Sequence, residues 1–168
     1  MMIIVPAVIG VVRLAVAILF SVVALYAGLS TFNHLTGGFD APGELRKGNC
    51  AVGVLIFSVF LGISLPVYAG VQAILSGLFA IAAEGVLTPD GILHLALVLV
   101  LLLVTIVLAI GSVYFAMYLV AQVSPTMDVL REIKYGNTAV AVGVAGVILA
   151  VCIVVQLGVT SLFPAVLS

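Results

Sequence analysis

Charge is what this chain has least of. Of its 168 residues only 7% are charged, five basic and six acidic, where a soluble globular domain carries roughly 25%. That scarcity excludes a soluble domain, and the near balance of signs excludes a basic patch for nucleic acid. The two cysteines, Cys50 and Cys152, have no metal-ligand spacing. Also missing are a Ser-His-Asp set, HExxH, a phosphate loop, a Rossmann glycine pattern and any dense carboxylate cluster. The sequence therefore predicts no enzyme, no metal site and no cofactor.

What the chain has in abundance is apolar length: 65% of residues are hydrophobic and the mean hydropathy is +1.52. Its few charges are bunched, and the intervals between them exceed the roughly 20 residues that a spanning helix needs. Four such intervals run from about Ile3 to Asn33, Asn49 to Ala80, Ile92 to Gln122 and Asn137 to Leu162. Lipid offers no partner to backbone groups, so a spanning segment is a helix or part of a closed barrel, and these runs lack the period-2 alternation of a barrel. The expected fold is all-α and integral to the membrane, with four transmembrane helices. The third interval alone would be roughly 46 Å long against a hydrocarbon core of about 30 Å, so it must tilt, bend or project. A signal peptide ending near "ALYAG" is the rival reading of the first interval, but that interval has no positive n-region and contains Arg13.

Apart from Arg13, every basic residue lies in two connections: Arg46 and Lys47 in the first, Arg131 and Lys134 in the third. The middle connection, Glu84 to Asp90, has none. Because Lys and Arg concentrate on the cytoplasmic side, loops 34–49 and 123–136 are expected in the cytoplasm and both termini outside, in a multi-pass protein of the cell inner membrane. On this topology His34 and His94 lie at opposite membrane faces and share no metal. Cys50 lies at the inner face and Cys152 about 22 Å deeper by helical rise, too far apart for a disulfide within one subunit.

The chain writes "ELRKGNCAV" at residues 44–52 and "EIKYGNTAV" at 132–140, and the same offset of 88 carries Tyr26 onto Tyr114, Asp40 onto Asp128 and Gly70 onto Gly158. The expected organisation is two parallel two-helix repeats, 1–85 and 89–168, in one membrane domain. A two-helix unit returns the chain to its starting side, so the second copy repeats the topology of the first, unlike the inverted repeats of many transporters.

Within the motif, Asn49 and Asn137 stand where an N-cap belongs, and Gly48 and Gly136 supply the permissive backbone that ends the preceding segment. Before the second copy, "SPTMDVLREIK" reads as a short surface helix capped by Ser124, with Pro125 at its first position and Met127, Leu130 and Ile133 on one face. Ser58, Gly62, Pro66 and Gly70 recur every four residues, and Gly146, Ala150, Val154 and Gly158 follow at the same offset. Small residues at this spacing predict that the second and fourth spanning helices pack on each other or on another subunit. Pro66 is expected to kink the second. The third, "LALVLVLLLVTIVLAI", is apolar all round and expected to face lipid.

At "LRKGNCAVGVLIFSVFLGISLPV" and "IKYGNTAVAVGVAGVILAVCIVV" the chain resembles the YjfL-like family of small bacterial inner-membrane proteins, whose function is unknown. The matching positions are Gly48, Asn49 and Ala51, then Gly136, Asn137 and Ala139. The resemblance implies four helices in two halves and, from the gene neighbourhoods of some members, a role in maintaining the envelope. It implies no reaction, and Arg13 has no counterpart in the family pattern.

Two functions of different class follow. In the first, a homo-oligomeric membrane scaffold docks a cytoplasmic protein partner or lipid through Asp40, Glu44, Arg46 and Lys47 in one loop and Asp128, Arg131, Glu132 and Lys134 in the other. In the second, a small ion passes between subunits along Arg13, Ser58, Ser64 and Gln72. A central Arg in a spanning helix costs about 2.5–3.5 kcal/mol, which draws attention to Arg13. With the N-terminus outside, it is expected near the outer headgroups, where snorkelling or a pair with Glu84 or Asp90 is the rival account to an anion or pathway role. The scaffold leads, because four helices carry few buried polar groups for a channel.

Overall fold

A computed structural model describes residues 4–37, 39–84, 89–125 and 127–167. All its elements are helices: α1 (Ile4–Leu35), α2 (Ala41–Arg46), α3 (Cys50–Glu84), α4 (Pro89–Val123), α5 (Val129–Lys134) and α6 (Thr138–Leu167). A long, a short and a long helix are thus followed by a long, a short and a long helix. The stretches Cys50–Gln72, Val100–Val123 and Thr138–Leu162 are long and apolar enough to cross a membrane. In α1 the described apolar stretch is shorter, Ile18–His34. Three such helices among the described residues are compatible with a membrane protein.

The short helices start and stop for local reasons. The Asp40 carboxylate accepts the Gly43 N–H at 3.0 Å and that of Asp128 accepts the Arg131 N–H at 3.1 Å, so each aspartate caps the helix that follows. Gly43 has no room for a side chain, since a Cβ there would run into the Asp40 carboxylate. The expectation of a cap at Ser124 is corrected: Ser124 closes the end of α4, its N–H donating to Val120 O, and α5 begins five residues later behind Asp128. Nor did the sequence reading foresee α2. Both short helices end in the same way, Asn49 N–H to Glu44 O and Gly48 N–H to Leu45 O, then Asn137 N–H to Glu132 O and Gly136 N–H to Ile133 O. This is the Schellman closure, and it requires the left-handed backbone that Gly48 (φ 79°) and Gly136 (φ 88°) adopt.

Side chains that meet fix the directions of the long helices. Asn49 reaches the carbonyl of Lys134, Gly62 faces Ile148 and Cys152, and Ala69 clusters with Val159. Contacts advance together along both helices, so α3 and α6 run parallel. Leu101 of α4 joins the Ala69 and Val159 cluster while Ser112 meets Cys152, so α4 runs antiparallel to α6. α3 is central: α6 and α4 pack on it most extensively, and α1 packs on it through Gly28 against Phe60 and Ile63.

Close approach holds α3 to α6. A Cβ on Gly62 would stand 2.9 Å from Cys152 Sγ and 3.1 Å from Ile148 Cγ2, so only glycine admits this separation. In a bilayer, where apolar burial gives no preference for protein over lipid, such van der Waals fit is what associates helices. The expected packing of the second and fourth spanning helices on each other is present, but not all the small residues take part in it. Gly70 lies against Thr105 of α4, where a Cβ would be 2.8 Å from Thr105 Cγ2, and on α6 Gly146, Ala150, Val154 and Gly158 are exposed. α6 instead meets the core through Ala141, Val144, Ile148 and Cys152.

The expectation of a lipid-facing α4 is also corrected. Thr105, Ala109, Ser112, Val113, Ala116 and Val120 form a buried stripe at helical spacing, while Leu103, Val107, Phe115 and Tyr118 on the other side are exposed. Thr105 and Ser112 can be buried there because their hydroxyls donate to Leu101 O at 2.8 Å and Ala109 O at 2.7 Å, so neither is left without a partner. α3 passes unbroken through the buried Pro66.

Candidate functional site: a charged cleft between the short helices

The two connections, 88 residues apart in sequence, come together. An open cleft of about 700 Å³ is bounded on one side by Asp40, Glu44 and Lys47 of the first loop and on the other by Asp128, Arg131 and Lys134 of the third. Six of the eight residues singled out in these loops therefore line one space. Phe39, Leu55, Leu130 and Ile133 add apolar wall, with Thr36 and Tyr135 among the polar lining. Arg46 is exposed and Glu132 is half-buried; neither lines the cleft, and Glu132 accepts a hydrogen bond from Asn137 Nδ2 at 3.0 Å.

Asn49 joins the two sides. Its Oδ1 accepts the Val52 N–H at 3.2 Å, capping α3, while its Nδ2 donates to Lys134 O at 3.0 Å and Ile133 O at 3.3 Å. One side chain thus starts α3 and supplies a donor to the Lys134 carbonyl at the end of α5, while sharing the Ile133 carbonyl with the Gly136 N–H. Asn137 caps α6 in the same manner, its Oδ1 accepting the Val140 N–H at 3.3 Å.

Electrostatically the site holds one close ion pair among weaker charge contacts, Lys134 acting on Glu44 and Asp40 on Lys47. Glu44 and Lys47 pair at 2.7 Å, the one ion pair among the described residues. Hydrogen bonds from Lys47 and then Asn49 hold the Glu44 carboxyl below its ordinary value, and the bond to Glu44 holds the Lys47 ammonium above its own. The other cations lie over rings, Arg131 5.7 Å from the Tyr135 centroid and Lys134 5.7 Å from that of Phe39. Asp40 and Asp128 each use Oδ1 for a helix cap.

The residues named for an ion pathway are scattered. Ser58 is buried in the core, its hydroxyl donating to Leu55 O at 2.8 Å. Ser64 is exposed and donates to Leu61 O at 2.9 Å, and Gln72 is exposed. The side chains of Arg13, Glu84, Asp90 and His94 lie outside the described residues. His34 lines a shallow groove with Tyr26 and Tyr114, the pair related by the 88-residue offset. Sequence reasoning missed the two capping aspartates and the role of Phe39 and Tyr135; a Pro-containing run after Asp40 was the available signal for the first. No protein-family model, no curated protein and no solved structure matches the chain.

Proposed function

We propose that this is a non-enzymatic, homo-oligomeric protein of the bacterial inner membrane, related to the YjfL-like proteins, that docks a partner or lipid at its cytoplasmic face. In this reading four helices span, in two parallel repeats with both termini outside, and α1 supplies the fourth span. The observation that carries it is the charged cleft: two loops that positive charge assigns to the cytoplasm converge on one concave surface, with an apolar wall below a charged rim. The exposed small residues Gly146, Ala150 and Gly158 of α6 are where a second copy would approach.

The test begins with the mass of the protein held in nanodiscs and with ion flux from liposomes containing it. An oligomer without flux above empty liposomes is expected, together with loss of the retained partner or lipid when Arg131 and Lys134 are both changed to Glu. Flux that disappears in Arg13→Ala would overturn the reading in favour of a pathway.

A further inference from the structure

From the balance of charge in the cleft we infer that its occupant is the headgroup of a phospholipid bearing both a phosphate and a primary ammonium. The inference rests on the proposed reading of the cleft as a docking surface at the membrane face. Three carboxylates and three cations line the space. Glu44 and Lys47 pair at 2.7 Å, with Lys134 and Asp40 acting on them more weakly, and the four charges outside that pair, Asp40, Asp128, Arg131 and Lys134, balance in number. A net-neutral set with both signs available fits a zwitterion, because a glycerol headgroup would bring only hydroxyls and no positive charge to the two carboxylates.

Each ligand group has its complement. Arg131 presents a planar fork suited to phosphate oxygens and Lys134 a point charge, and Tyr135 and Phe39 hold the two cations in place over their rings. Asp40 and Asp128 accept cap hydrogen bonds through Oδ1, and each keeps a second carboxylate oxygen for an ammonium donor. A trimethylammonium has no N–H to give, so a choline headgroup would lose this half of the recognition. Phe39 and Leu130, both half-buried, give the start of the acyl chains an apolar wall, which a free phosphoamine would not use.

The test is native mass spectrometry of the intact protein in detergent, titrated separately with phosphatidylethanolamine, phosphatidylglycerol, phosphatidylcholine and soluble phosphoethanolamine. The ethanolamine lipid is expected to be retained about tenfold better than the other two lipids, because only its headgroup joins a positive charge to N–H donors, where glycerol has uncharged hydroxyls and choline a cation without N–H. In D40N/D128N, where each Asn can still cap its helix, that preference should vanish while residual lipid binding remains. In R131Q/K134Q retention of every lipid should fall. Equal or better retention of the glycerol lipid, lost in R131Q/K134Q, would overturn the zwitterion and leave a lipid-docking cleft standing. Binding of phosphoethanolamine alone would overturn the lipid source, and lipid retention indifferent to all four substitutions would remove the cleft as its site.

Discussion

The side-chain amide of Asn49 donates to the backbone carbonyl of Lys134 at 3.0 Å, across 85 residues of chain. The equivalent Asn137 turns its amide to Glu132, within its own loop. Two asparagines in nearly identical local sequence thus do different amounts of work, and the difference can be measured.

Asn137→Ala should cost about 1 kcal/mol, the usual loss for an N-cap. Asn49→Ala should cost about 2 kcal/mol, because the Lys134 carbonyl at the end of α5 loses its donor as well. Unfolding of both variants in the same detergent checks this, and equal losses would mean that the bridge between the loops contributes nothing.

Gly62→Ala should destabilise by about 1–3 kcal/mol, since the new methyl enters a space already filled by Cys152 and Ile148. Gly146→Ala and Gly158→Ala, where a Cβ meets nothing within 4 Å in the single chain, should be neutral or mildly stabilising for the subunit fold while weakening the proposed approach of a second copy. Cys152→Ala vacates the space, so the double variant G62A/C152A should lose less than the two single changes added together. Strict additivity would show that the α3 and α6 backbones are not held at this separation.

Cys50 is exposed and Cys152 buried. A membrane-impermeant maleimide should label Cys50 in inverted vesicles and not in intact spheroplasts, and leave Cys152 unmodified in both until the protein is unfolded. Labelling of Cys50 from outside the cell would reverse the proposed orientation.

Glu44 should titrate below its ordinary value of 4.5, and Lys47→Ala should return it towards that value because the largest cause of the shift is removed. A carboxylate with a depressed folded pKa contributes stability that is present above the unfolded value and lost as pH falls through the folded one. The acid limb of unfolding should therefore steepen below pH 4.5 in the native protein and flatten in Glu44→Gln. The raised Lys47 acts in the opposite sense: its contribution is full below pH 10.5 and fades as pH rises through its folded value. Carbon-detected NMR of the Glu44 carboxyl reads the shift directly; an unchanged value in Lys47→Ala would mean that the pair does not persist in solution.

Helical class, apolar length and the turns at Gly48 and Gly136 were legible because each depends on neighbours in sequence: a run without charge, a cap, a glycine free to adopt positive φ. The Asp40 and Asp128 caps were equally local, yet Ser124 competed for the same role in the second loop, and only the observed hydrogen bonds decide between them. Cleft residues could be nominated from the sequence, as charged positions at a fixed offset, but not assembled.

The sequence by itself determined that the chain is helical, where its long apolar segments and its two Gly-Asn turns fall, and which connections carry charge. Tertiary structure alone decided which faces of those helices meet. The buried stripe of α4 is invisible in a segment whose whole circumference is apolar, since lipid and protein are alike to a leucine and neighbour choice falls to shape, to where Gly62 lets Cys152 in and Gly70 lets Thr105 in. For the same reason α3 is embraced by three helices, whereas among the described residues α6 keeps Gly146 and Gly158 in the open.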